Sequence, residues 1–159
     1  MKQKIEEEAE RMLIDNYDKY YRLAYSYVKN EQDALDIVQE SAYRVIKDLG
    51  KLKERDYLST WIYRIVINNA IDTLRKKKRE TVSLLEVQLV HEDHYQEEDP
   101  LSLLSALEDI DRALVVLKYL EDCKLEEISE IMEMNISTVK SRLYRSLKKL
   151  KIILEPELV

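Results

Sequence analysis

The sequence predicts an all-α protein made of two small helical domains, a helical bundle and a helix-turn-helix unit, joined by an acidic linker. Three observations point there. Apolar residues recur every three or four positions through most of the 159 residues, the spacing of one helix face. Runs alternating apolar with polar, the mark of a half-buried strand, do not occur. The helical pattern lapses between Thr81 and Pro100, where acids gather, and then resumes.

The elements follow in order. Ile5, Ala9, Met12, Leu13, Tyr17, Tyr20, Ala24 and Val28 form one stripe, and Ala34, Leu35, Val38, Ala42, Val45, Ile46 and Leu49 a second. Asn30 separates them as an N-cap with Asp33 at the third helical position, and Gly50 suits the left-handed residue that ends the second helix. A polar connection, Lys51 to Asp56, leads into a third helix from Tyr57 with the stripe Trp61, Ile62, Ile65, Val66, Ala70 and Leu74. Three such helices can close around a shared core, which makes residues 1–80 a bundle domain. Residues 81–102 read as the linker: VSLLEVQLV suits a short helix or an extended segment, and HEDHYQEEDP carries five acids. In residues 103–159 the stripe Leu103, Leu104, Leu107, Ile110, Leu114, Leu117 and Leu120 precedes a short helix with Leu125, Ile128, Ile131 and Met132. A turn from Glu133 to Ile136 then opens a final helix, from Ser137, with Val139, Leu143, Leu147, Leu150 and Leu154 inward.

Composition removes several function classes. Gly50 is the single glycine, so the clustered glycines that bring backbone against phosphate in dinucleotide and P-loop folds are missing. There is no run of 18 apolar residues and the N-terminus lacks the features of a signal peptide, so a cytoplasmic location without membrane insertion is expected. Cys123 is the single cysteine and cannot form an internal disulfide. His91 and His94 have H-x-x-H spacing but no third placed ligand, so neither a metal nor any cofactor is expected, and no catalytic group is assigned. The net charge of −6 is unevenly spread: 17 cations face 15 acids in residues 1–80, none face six in 81–104, and nine face 11 in 105–159. Cations nevertheless cluster at Arg75–Arg79 and along Lys140–Lys151, where local fields can hold phosphate.

The second cluster lies on a helix-turn-helix pattern. That geometry puts the start of its second helix in a major groove, with Thr138, Ser141 and Arg142 toward base edges and Lys140 and Arg145 toward phosphates. A bidentate arginine–guanine pair discriminates by roughly 1–3 kcal/mol. A solvated cationic face, favoured by the helix dipole, is the plainer reading of the same residues. The first cluster continues a helix whose polar side carries Asn68, Asn69, Asp72 and Thr73, side chains able to meet bases while the cations hold the strand. Tyr57, Trp61 and Tyr63 offer faces for an extruded base, although an aromatic at this spacing also packs as core, and Trp61 is expected to be at least half buried.

The segments DALDIVQESAYRVI, YLSTWIYRIVINNAIDTLRKKKR and LEEISEIMEMNISTVKSRLYRSLKKLK, in this order, resemble regions 2 and 4 of the extracytoplasmic-function sigma factors of the sigma-70 family. The resemblance implies a transcription initiation factor that binds core RNA polymerase and directs it to promoter DNA. It implies that Asp33, Asp36, Gln39 and Glu40 dock on the β′ clamp. The loop from Lys51 to Thr60, with Lys53, Tyr57, Ser59 and Thr60, would capture a flipped −10 base beside Trp61, and Asn68 and Asp72 would contact that element. Arg75, Lys76 and Arg79 would follow the adjoining backbone. The second domain would read the −35 element through Ser137, Thr138, Lys140, Ser141, Arg142 and Arg145 and rest on the β flap. Glu92, Asp93, Glu97, Glu98 and Asp99 would either mimic nucleic acid inside the polymerase or serve as a solvated tether. An anti-sigma partner, often membrane-anchored, belongs to the same implication.

The chain departs from the family pattern in places. Leu107-Glu108 replaces a usual Leu-Pro, which moves the expected helix start toward Ser102. Glu133 and Ser137 stand where glycines are usual, so an altered turn is expected and the family's −35 preference is not carried over. Phenylalanine is absent, and Tyr17, Tyr20, Tyr21, Tyr25 and Tyr43 are expected to pack in its place. The rival readings are a stand-alone helix-turn-helix regulator, which gives the tryptophan helix no role, a metal-dependent nuclease, which lacks a ligand cluster, and an adaptor indifferent to Arg142 and Arg145.

Overall fold

A computed structural model of the chain describes residues 2–85 and 100–155. The linker acids Glu92, Asp93, Glu97, Glu98 and Asp99, together with His91 and His94, lie outside the described residues. Among the described residues every regular element is helical, and no helix is long and apolar enough to cross a membrane.

The first stripe is two helices, α1 (Lys2–Asp15) and α2 (Tyr17–Val28), where one was expected. The break is at Asn16, whose side-chain amide donates to the Met12 carbonyl at 3.0 Å. Its backbone turns aside at φ −109°, ψ 18°, so the stripe keeps its spacing across a corner that spacing alone does not reveal. Asn30 caps α3 (Glu31–Lys47) as expected, accepting the Asp33 N–H at 3.0 Å. Gly50 does not take the left-handed position; it lies with negative φ in a 3₁₀ turn, Leu49–Lys51, while Asp48 caps α3. A second 3₁₀ turn, Arg55–Tyr57, leads into α4 (Leu58–Leu85), which carries the basic run within it and continues past residue 80.

The inward faces are rotated from the expected ones in one respect. On α3, Ile37 and Ser41 are buried and Ile46 is exposed. On α4, Asn69 is buried, and its amide donates to the Ser41 hydroxyl at 3.1 Å and to the Ile37 carbonyl at 3.3 Å. Asn69 therefore joins two helices and is not available to a base, which corrects its place on the polar side. A buried polar pair of this kind looks like surface in a sequence. In the core, Leu23, Tyr27, Leu58, Ile62, Val66 and Ile67 are almost wholly buried, an apolar side chain so placed being worth about 1.5–3 kcal/mol. Of the tyrosines, Tyr20 is buried and Tyr21 and Tyr25 pack against the core, but Tyr17 and Tyr43 are exposed.

The second half begins with a 3₁₀ segment, Pro100–Ala106, so the α-helix does not start near Ser102. It starts at Asp109 as α5 (Asp109–Val115) and widens into a π turn, Val116–Leu120. Then α6 (Leu125–Met132) and α7 (Ile136–Leu154) form the helix-turn-helix. Glu127 accepts the Lys124 N–H at 2.9 Å at the start of α6. On α7, Val139 and Leu143 are buried and Ser146 replaces Leu147 on the inner face.

Glu133 ends α6 with φ 53° and ψ 49°, a left-handed conformation that glycine holds without strain. The turn keeps its usual shape at the expense of a strained residue. Replacing Glu133 with glycine is expected to stabilise the fold by up to about 1 kcal/mol, measurable as a higher urea midpoint with an unchanged slope.

Buried acids give the fold an alkaline limit. Burial pushes the Cys123 thiol up to about 11, with Glu127 and Glu121 adding to the shift, and burial raises the phenols of Tyr20, Tyr27 and Tyr63. In the unfolded chain these groups ionise first. Their stabilisation is complete below their ordinary values and is lost as pH rises toward the folded values, at about 1.4 kcal/mol per unit of pH for each group. The unfolding temperature is therefore expected to fall steadily above roughly pH 9; a flat profile to pH 11 would contradict the burial of Cys123.

Candidate nucleic-acid interface

Two helical faces meet solvent with the side chains that DNA recognition needs. The first is the outer side of α4. Asn68 and Asp72 are exposed one turn apart, and Arg75, Lys76 and Arg79 continue the exposed side as the helix runs on. Because the basic run is helical, its cations are spread around the axis: Lys77 turns back and pairs with Asp33 on α3, and Arg75 pairs with Asp109 on α5 at 3.1 Å. At the head of α4, Lys53 and Ser59 are exposed, Thr60 is partly buried, and Trp61 is partly buried against the core, as expected. Tyr57 is half-buried beneath a cation, with the Arg64 guanidinium 5.2 Å from its ring centre. Its hydroxyl accepts from Arg64 at 2.7 Å.

The second face is the start of α7. Ser137, Thr138, Lys140, Ser141 and Arg145 are exposed, as a helix entering a groove requires. The Ser141 hydroxyl donates back to the Ser137 carbonyl at 3.0 Å. Arg142 is partly buried, with its guanidinium 2.9 Å from the Asp111 carboxylate. It lies on the expected face but is held by an acid of the same chain.

The third group lies on α3. Asp36, Gln39 and Glu40 are exposed on one face, with Glu40 3.7 Å from Arg44, while Asp33 is partly buried in its pair with Lys77. Tyr43 extends this face with 65% exposure. A tyrosine in place of phenylalanine is expected to pack inward, but Tyr43 stands seven residues after Asp36 on the same exposed helix face, and that spacing is the signal for it. Arg64 was also missed. It is a cation inside the apolar stripe of α4, and it donates to the Ile131 carbonyl at 3.0 Å and to the Glu130 carbonyl, closing the end of α6.

An all-α chain that presents a helix-turn-helix and a second helix with an exposed polar face and a basic extension has the parts of a two-part DNA-binding protein of transcription. Residues 12–80 match the family described as Sigma-70 region 2, and residues 101–150 match Sigma-70, region 4. The chain belongs to the extracytoplasmic-function RNA polymerase sigma factors of the sigma-70 family. It is 41% identical over 151 residues to RNA polymerase sigma factor SigV of Bacillus subtilis (strain 168), covering 91% of this chain and 90% of that protein. It is 33% identical over 159 residues to ECF RNA polymerase sigma factor SigW of the same organism, covering 87% and 85%. The fold is similar to that of the sigma factor RpoE in its complex with the anti-sigma factor NepR from Bartonella quintana. That match has a TM-score of 0.74 and 21% identity over 93% of this chain and 97% of that one.

Proposed function

We propose that this chain binds core RNA polymerase and directs it to promoters, reading a −10 element with α4 and a −35 element with α7. The observation that supports this most is the exposure of both faces on a member of this family: Asn68, Asp72, Lys76 and Arg79 on one, Thr138, Lys140 and Arg145 on the other. Asp36, Gln39, Glu40 and Tyr43 form the surface for the β′ clamp, and the second domain rests on the β flap. Residues 1–80 act as the −10 and polymerase-binding domain and 103–159 as the −35 domain, with 81–102 between them. Captured bases stacking near Trp61 supply the energy of opening, since stacking contributes about 1–3 kcal/mol per base. The chain itself performs no hydrolysis. It works in the cytoplasm, and an anti-sigma protein covers its polymerase-binding surfaces between signals.

The docking surface is testable without knowing the promoter. The double variant Asp36→Arg, Glu40→Arg reverses exposed charge without touching the core, and is expected to abolish co-elution with core polymerase while leaving thermal unfolding within a few degrees of wild type. Undiminished co-elution would remove these residues from the clamp contact.

A further inference from the structure

Residues 51–60, which lead into and open α4, carry the side chains assigned to a flipped −10 base, and they are fastened on both sides. Lys53 and Ser59 are exposed, as are Glu54 and Asp56. Near the start of the segment Leu52 packs against the core. Farther on, the 3₁₀ turn Arg55–Tyr57 launches α4, the Arg55 carbonyl accepting the N–H of Leu58, which is buried. One tie comes from a distant element. Arg55 reaches across to α1, where its Nε and Nη2 both donate to one carboxylate oxygen of Glu8, at 2.6 and 2.5 Å. Glu8 is itself well rooted: the next residue, Ala9, is wholly buried, and Ile5, Met12 and Leu13 pack against the core. The pair therefore joins a fixed helix to the first residue of the turn.

We propose that Glu8 is a positioning residue for base capture: through Arg55 it holds the turn that presents Lys53 and Ser59 before DNA arrives. The inference rests on the capture role of this segment under the proposed function. Glu8 itself touches no base. A segment ordered in advance binds without first losing its conformational freedom, and its side chains already stand where the base will come. The same pair has a rival reading, in which Glu8 masks a cation meant for phosphate. Arg55 argues against it, because its backbone is part of the turn and its side chain is the turn's tie to α1. A move to phosphate would release the segment that must hold the base. An exposed ion pair is a modest tie, so its loss changes rates by a small factor and leaves the fold intact.

The test uses the full chain. In the free protein, amide hydrogen exchange at Tyr57 and Leu58, whose N–H groups bond within the turn, is expected to quicken about two- to fivefold in Glu8→Ala. With core polymerase and a promoter selected from genomic DNA, 2-aminopurine placed in the −10 element separates the affinity of the first complex from the rate of opening. Glu8→Ala should leave that affinity unchanged and slow opening by the same factor. The exchanged pair Glu8→Arg, Arg55→Glu is expected to restore both slow exchange and fast opening. Glu8→Gln, which keeps an acceptor, serves if Glu8→Ala loses its helical circular dichroism. Unchanged exchange overturns the proposal, and so does unchanged opening. Faster opening in Glu8→Ala would make the pair a mask, and an exchanged pair that restores exchange but not opening would make Arg55 a direct DNA contact; either result also overturns it. A wild type that opens no promoter strikes the functional reading instead, and the exchange result still decides whether Glu8 holds the turn.

Discussion

Replacing Arg112 with alanine is expected to lower the unfolding free energy by about 3 kcal/mol, because it is a buried charged side chain whose removal leaves its partners unpaired. Arg112 on α5 is 3% exposed. Its guanidinium donates to the Ser26 carbonyl at 3.1 Å and the Leu107 carbonyl at 3.3 Å, and lies 4.9 Å from the centre of the Tyr27 ring. Burial lowers its pKa, with Tyr27 and Asp109 acting in the opposite sense. The Tyr27 hydroxyl in turn donates to the Asp109 carbonyl at 2.5 Å. Truncation leaves carbonyls without donors and a void against an aromatic face, and relief of arginine desolvation offsets only part of that loss. Methionine at 112 keeps the stem and removes the donors, so it should recover the packing share alone. Urea unfolding of the two variants separates these shares. A loss below about 1 kcal/mol for alanine would show that Arg112 is replaceable by solvent.

Replacing Arg142 with alanine is expected to lower initiation at the cognate promoter by about 10- to 100-fold, the kinetic equivalent of one lost bidentate base contact. Arg145→Ala should behave differently. In the proposed role of a phosphate contact, its loss should weaken binding to all sequences alike and reduce the slope of log affinity against log salt by about one. Asn68→Ala and Trp61→Ala should leave −35 binding intact and slow promoter opening, read with permanganate at unpaired thymines. The contrast matters because Arg142 is paired with Asp111 at 2.9 Å. If it served only that pair, Arg142→Ala would alter stability modestly and leave promoter choice unchanged.

Much of this architecture could be read from residue order because helical spacing is a local property. The Asn30 cap, the lengths of α6 and α7, and the exposure of Thr138, Lys140 and Arg145 all follow from neighbours within a few positions. What could not be read depends on groups distant in sequence. Asn69 and Ser41 are polar residues that satisfy one another in the core, so hydropathy places both outside. Arg22 meets Glu121 across 99 positions, and nothing near either residue signals the other. Asn16 breaks a helix through one side-chain bond while the apolar spacing continues across it. At Glu133 the turn took the left-handed backbone usual for glycine although the side chain disfavours it. The neighbouring helices settle that geometry, and the residue bears the strain.

The most direct test is run-off transcription by core polymerase with the purified full-length chain, on promoter DNA selected from a genomic pool. The expected result is transcripts from discrete start sites that require both proteins and that diminish with Arg142→Ala. Tight binding of duplex DNA by the chain alone, with no association with core and no new start sites, would contradict the account.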